Sequence, residues 1–172
     1  MKEKSDVLNN QAIILASDGA YNEAIACFKR AITLERDNYL LWYNLGITYR
    51  DAGDLEEAKQ ALYTAYTISP ENLDVEETYA TVCLMLKDFD SVRAICETGI
   101  DFNPLHSHLW NLMGVCEFQS ENYEKAAEYF EYAVSINPYY LDALYNLKDT
   151  YSVIKNPKGE AECKKAIKEL EK

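Results

Sequence analysis

Three asparagines pose the first question about this chain. Asn10 and Asn44 are 34 residues apart, and Asn146 follows after three more steps of the same length. A carboxamide carries both donors and an acceptor, so a row of them can pair with the backbone of another chain without reading its side chains. The alternative is that each is simply solvated. Tyr43 and Tyr145 stand beside two of them, and aromatic side chains often anchor partners.

Other candidate chemistry is thinner. His106 and His108 flank Ser107, but that spacing does not put them on one helical face and no third ligand is near in sequence. They are read as surface imidazoles and not as a metal site. Cys27, Cys83, Cys96, Cys116 and Cys163 form no C-x-x-C pair and are odd in number, which suits mostly buried thiols in a reducing compartment. Asp88-Phe89-Asp90 lacks the spacing of a calcium loop. No phosphate-cradling glycine loop, nucleophile elbow, Ser-His-Asp or Cys-His pattern is visible, so the expectation is a protein that is not an enzyme and uses no cofactor.

The asparagine spacing belongs to a wider rhythm. Leu8, Trp42, Glu76, Trp110 and Leu144 fall in one column at 34-residue steps; Ala12, Gly46, Ala80 and Gly114 fall in a second. Ala24, Ala58, Val92 and Ala126 form a third column, and Ala31, Ala65, Gly99 and Ala133 a fourth. Pro70, Pro104 and Pro138 close their units, with Arg36 at the matching place in the first. Columns kept in register without an insertion mean a tandem repeat. The units are placed at 5–38, 39–72, 73–106 and 107–140, with a degenerate fifth unit and capping helix at 141–172, all in a single domain.

Each unit reads as two amphipathic helices. In the second unit, Trp42, Leu45, Gly46 and Tyr49 share one face of a helix from about Leu40 to Ala52. Gly53 breaks it, and Asp54 with Glu57 is expected to cap the next helix as a capping-box-like pair. That helix turns Leu55, Ala58, Leu62, Ala65 and Ile68 inward and stops at Ser69-Pro70. Gly46 against Ala58 and Gly114 against Ala126 are expected to let backbones approach. Trp42, Trp110, Phe28 and Phe130 are expected to fill the space between neighbouring pairs. The last helix is lysine- and glutamate-rich, with Ala161, Ala166, Ile167 and Leu170 as its inward set, and reads as a cap.

Composition bounds the partners. The 172 residues carry a formal net charge of −12 and are 48% apolar. Such a balance argues against nucleic acid or an anionic membrane surface and favours a neutral or basic partner. Met1 to Asp6 is charged and no apolar segment follows, so no signal peptide or membrane span is read and a cytoplasmic location is expected.

The pattern W-x-x-L-G-x-x-Y, then A-x-x-x-F, then A, then P, resembles the tetratricopeptide repeat over essentially the whole chain. Trp42 to Tyr49 matches its first segment in full; Trp110, Gly114, Ala126, Phe130, Ala133 and Pro138 match in the fourth unit, where Glu117 replaces the tyrosine. The resemblance implies an all-α, right-handed solenoid of about five antiparallel helix pairs with a concave groove lined by the first helices. It also implies which residues face that groove. These include Asn9, Asn10 and Ile13, then Tyr43, Asn44, Ile47, Arg50 and Asp51, then Asp74, Glu77 and Thr78. The fourth unit contributes His108, Asn111, Leu112, Val115, Phe118 and Gln119, and the fifth Asp142, Tyr145, Asn146, Asp149 and Ser152.

By that resemblance the asparagine series is similar to the ladder of peptide-binding members, and the expected contact set is Asn10, Tyr43, Asn44, Ile47, Thr78, Asn111, Tyr145 and Asn146. Chaperone-binding members grip an acidic tail with a lysine- and arginine-bearing clamp. Here its places hold Asn9, Ile13, Asn44, Asp74 and Thr78, and sliding one unit gives Tyr43, Ile47, Thr78, His108 and Leu112. Neither frame supplies the cations, so the charge pattern argues against an acidic-tail adaptor. The expected function is a scaffold binding an extended peptide or partner helix of another protein, as a monomer or weak homo-oligomer. The alternatives are a self-assembling structural protein and a regulatory adaptor of an enzyme supplied in trans.

Overall fold

The computed structural model describes residues 4–172; the first three residues of the charged opening stretch lie outside it. Among the described residues there are ten helices and no strand. They are α1 (Ser5–Ser17), α2 (Tyr21–Leu34), α3 (Tyr39–Ala52), α4 (Leu55–Ile68), α5 (Leu73–Met85), α6 (Phe89–Phe102), α7 (Ser107–Gln119), α8 (Tyr123–Ile136), α9 (Leu141–Val153) and α10 (Pro157–Leu170). No described helix is long and apolar enough to cross a membrane.

The chain divides into two compact units, Met1–Lys87 with α1 to α5 and Asp88–Lys172 with α6 to α10. In the first, α1 pairs with α2 and α3 with α4, while α2 packs on α3 and α4 on α5. In the second, α7 pairs with α8 and α9 with α10, while α6 packs on α7 and α8 on α9. All four complete pairs are antiparallel hairpins of the repeat.

A left-handed residue lies in the loop after each odd-numbered helix. Gly19 (φ 78°), Gly53 (φ 90°), Lys87 (φ 58°), Glu121 (φ 64°) and Lys155 (φ 57°) recur at the 34-residue step. Only glycine takes this conformation without cost to its Cβ. Helix starts are closed by side chains in five places: Asn38 to the Leu40 amide, Asn72 to Val75, Asp88 to Ser91, His106 to Leu109 and Asn156 to Gly159. Asp54 departs from expectation. Its side chain makes no cap bond, and its backbone carbonyl alone accepts from Ala58.

The small-residue columns do their work differently from the sequence reading. A Cβ on Gly46 would sit 2.6 Å from the Leu62 Cγ, and one on Gly114 would sit 2.5 Å from the Phe130 ring. The glycines therefore make room for a large side chain one turn beyond Ala58 and Ala126. Phe28 and Phe130 are fully buried as expected. Trp42 and Trp110 are only half-buried, because each indole nitrogen reaches the loop before its helix. Trp42 Nε1 donates to the Arg36 carbonyl at 2.8 Å, and Trp110 Nε1 to the Pro104 carbonyl at 2.9 Å. The last helix also differs: Gly159, Cys163 and Ile167 are the buried residues of α10, while Ala161 is exposed. Cys163 joins Ala126, Ala127, Phe130 and Leu147 in one core cluster.

Candidate functional site

The asparagine columns are stitched to one another. In the first unit, Asn44 Nδ2 on α3 donates to Asn9 Oδ1 on α1 at 3.0 Å, and the Tyr43 hydroxyl lies 3.3 Å from the Thr78 hydroxyl on α5. In the second unit, Asn146 Nδ2 on α9 donates to Asn111 Oδ1 on α7 at 3.0 Å. Every rung joins the fifth residue of one repeat to the sixth of the next, 35 residues on. Asn44 and Asn146 each carry one more N–H and a carbonyl oxygen than the rung uses.

Beside the rung in the second unit lies a cleft of about 260 Å³, lined by Val115, Phe118, Gln119, Asn146 and Asp149, with Phe130 from α8 beneath. Val115 and Phe118 pack on the core cluster and are only partly buried, so they give the cleft a fixed apolar floor. Asp149 pairs with Lys148 at 3.0 Å, and the Lys148 ammonium lies 4.9 Å from the centre of the Tyr145 ring. The Tyr145 hydroxyl donates to Glu171 at 2.5 Å, which raises its pKa above the ordinary value. Tyr145 is thus held through the end of α10.

Of the residues named from sequence, Asn10 is exposed on α1 and joins no rung, Ile47 and Thr78 are half-buried, and Asn111 is buried. Tyr43 and Thr78 come together in the first unit, where Asn44 meets Asn9, and Asn111 and Asn146 come together in the second. The contact set left out the cleft's Val115, Phe118, Gln119 and Asp149. Their repeat positions had marked them as facing the groove; what singled them out is the space between α7 and α9. His106 and His108 are half-buried and not at the surface: their rings meet edge to face, and His108 packs on Tyr140 at 4.6 Å. No group of His, Cys, Asp or Glu among the described residues is arranged to hold a metal.

Glu117, which breaks the aromatic column, is buried and paired. It accepts from Arg93 Nε on α6 at 2.9 Å and from Asn122 Nδ2 at 2.7 Å, with Lys125 at 3.7 Å. Burial pushes its carboxyl up, but the Arg93 and Asn122 hydrogen bonds and the Arg93 and Lys125 charges outweigh this and hold it below the usual range. Glu76 is the opposite case. It stands in the tryptophan column, is 3% exposed, and burial alone pushes it up to about 7.

Residues 49–116 and 107–140 each match the tetratricopeptide repeat, and residues 14–51 match the TPR repeat. This chain belongs to the tetratricopeptide-repeat family. Among sequence relatives, this TPR protein is 28% identical over 85 residues to "N-alpha-acetyltransferase 16, NatA auxiliary subunit" of Mus musculus, covering 49% of the chain and 10% of that protein. It is 26% identical over 137 residues to "BBSome complex member BBS4" of Bos taurus, covering 78% of the chain and 26% of that protein. The chain therefore spans about a tenth to a quarter of these relatives. Among solved structures it superposes on MamA from Desulfovibrio magneticus RS-1 with a TM-score of 0.85 at 21% identity, covering 99% of this chain and 97% of that one. YrrB, described as "a TPR protein with an unusual peptide-binding site", gives a TM-score of 0.72 at 21% identity, covering 95% and 84%. At such identities the likeness is one of fold.

Proposed function

We propose that this TPR protein is a non-catalytic scaffold that holds an extended segment of another protein against the first helices of its repeats. The observation that carries the reading is the cleft between α7 and α9. Its floor of Val115 and Phe118 suits one apolar side chain, and the free edge of the Asn146 amide and the Gln119 amide can pair with the segment's backbone. Asp149 and the overall charge of −12 favour a neutral or basic segment. In the first unit, Tyr43, Asn44, Ile47 and Thr78, flanked by exposed Asn10, offer a second stretch of amide and aromatic contact. The named roles of the relatives, an auxiliary subunit and a complex member, are of the same kind.

The test is selection of peptides from a random library on the intact protein, followed by titration against Phe118→Ala and Asn146→Ala. Binding should weaken about tenfold or more in each variant, and also as salt rises from 50 to 500 mM. Selected peptides that bind both variants as tightly as the parent would overturn the reading.

A further inference from the structure

A second cleft, unrelated to the first-helix face, lies among α2, α3 and α4 of the first unit. It measures about 520 Å³. Ile32, Trp42, Leu45 and Tyr49 form its base, and Lys29 and Glu57 stand at its rim. The second unit shows what this geometry looks like when filled. There the equivalent indole, Trp110, is covered by two rings of α8: Tyr132 at 4.8 Å and Tyr129 at 5.7 Å between centroids. Both lie in the range of attractive aromatic pairs. Counting two repeats back, Tyr132 becomes Thr64 and Tyr129 becomes Ala61. Both smaller residues line the open cleft. The space over Trp42 is the volume of rings this chain does not supply.

The rim charges change with it. Lys125, whose ammonium lies 5.4 Å from the centre of the Tyr129 ring, becomes Glu57 in the first unit. Lys29 is already engaged, 5.6 Å from the centre of the Tyr49 ring. The anionic group at the rim that a partner's cation can meet is the Glu57 carboxylate.

We propose that the cleft over Trp42 is a docking site for a basic partner helix, which lays a tyrosine ring on the indole and sets a lysine or arginine beside Glu57. The partner completes in trans the stack that α8 makes within the chain. An amphipathic helix seated in a groove is the simplest way to present two rings three residues apart.

The probe is an alanine–lysine helical peptide of about 17 residues with two tyrosines three apart, a length at which such a helix forms in water. The readout is the pair of indole N–H signals in a nitrogen–proton correlation spectrum of the full chain, assigned with Trp110→Phe. The Trp42 signal should shift saturably while that of Trp110 stays put, and a peptide with alanines for the tyrosines should move neither. Thr64→Tyr, which restores the nearer ring in cis, should weaken peptide binding at least tenfold. Trp42→Leu, a residue the column already accepts at Leu8 and Leu144, should abolish it by fluorescence anisotropy and serves if Thr64→Tyr does not fold. Glu57→Gln should reduce the salt dependence of the Trp42 shift, and Phe118→Ala should leave that shift in place, which separates this site from the α7–α9 cleft. An unmoved Trp42 signal, an equal response to the alanine control, or full binding by folded Trp42→Leu would overturn the proposal.

Discussion

The tryptophan column shows how one residue can tie stability to pH. Glu76 replaces an indole or leucine, and its carboxyl is pushed up to about 7 by burial. The folded state therefore binds its proton more tightly than the unfolded chain, so this contribution is full below about pH 4.5 and is lost as pH rises through 7. We expect the thermal midpoint to fall between pH 5 and 8 for this reason, and Glu76→Gln to flatten that fall and raise the midpoint at pH 8. Each kcal/mol regained corresponds to about 2–4 °C in a chain of this length. Parallel melting curves of the two proteins across the range check it, and identical slopes would refute the assignment. The column announced Glu76 as an anomaly; that it is buried was visible only in the packing. The turn residues carry a similar lesson. Gly19 and Gly53 take the left-handed backbone without strain, but Glu121 and Lys155 adopt the same geometry because the hairpin imposes it.

Between elements, the second unit relies on a polar tie where the repeat pattern calls for an aromatic ring. Arg93 on α6 and Asn122 after α7 meet Glu117, and the guanidinium also donates to the Ser120 hydroxyl at 3.2 Å. Arg93→Met leaves a buried carboxylate with only Asn122 and a distant ammonium, and should cost about 1–3 kcal/mol by chemical denaturation. The Glu117 carboxyl, held below its usual range, also makes this loss depend on pH. Its contribution is present above the unfolded pKa and lost as pH falls through the lower folded value. The loss on Arg93→Met should therefore be larger at pH 7 than at pH 3. The glycine columns act at this scale too. They announced close helix contacts, but Leu62 and Phe130, not alanines, are what they admit.

At the scale of the molecule, stability in a repeat protein is a sum of local units and their neighbours' interfaces. Gly114→Ala forces the fully buried Phe130 ring to shift and should cost about 1–3 kcal/mol. The amides of α7, α8 and α9 should exchange correspondingly faster, while those of α1 to α3 in the other compact unit change much less. Hydrogen exchange read by mass spectrometry would show it, and uniform acceleration across all ten helices would count against a local ledger. The proposed binding sites follow the same local logic. The α7–α9 cleft and the cleft over Trp42 each lie within one unit.

The 34-residue period, read from columns such as Leu8 to Leu144, determined by itself that the chain is all-α, how its helices pair, and which faces are apolar. Period and burial are properties of spacing, and spacing is written in the sequence. Tertiary structure decided where polar and aromatic side chains find partners. Asn44 and Asn146 are bonded to Asn9 and Asn111, Glu117 is neutralised by a residue 24 positions away, and Trp42 lacks the rings that Trp110 keeps. Those outcomes depend on distances between helices that no linear pattern encodes, because hydrogen bonds and ring stacks form or fail over fractions of an ångström.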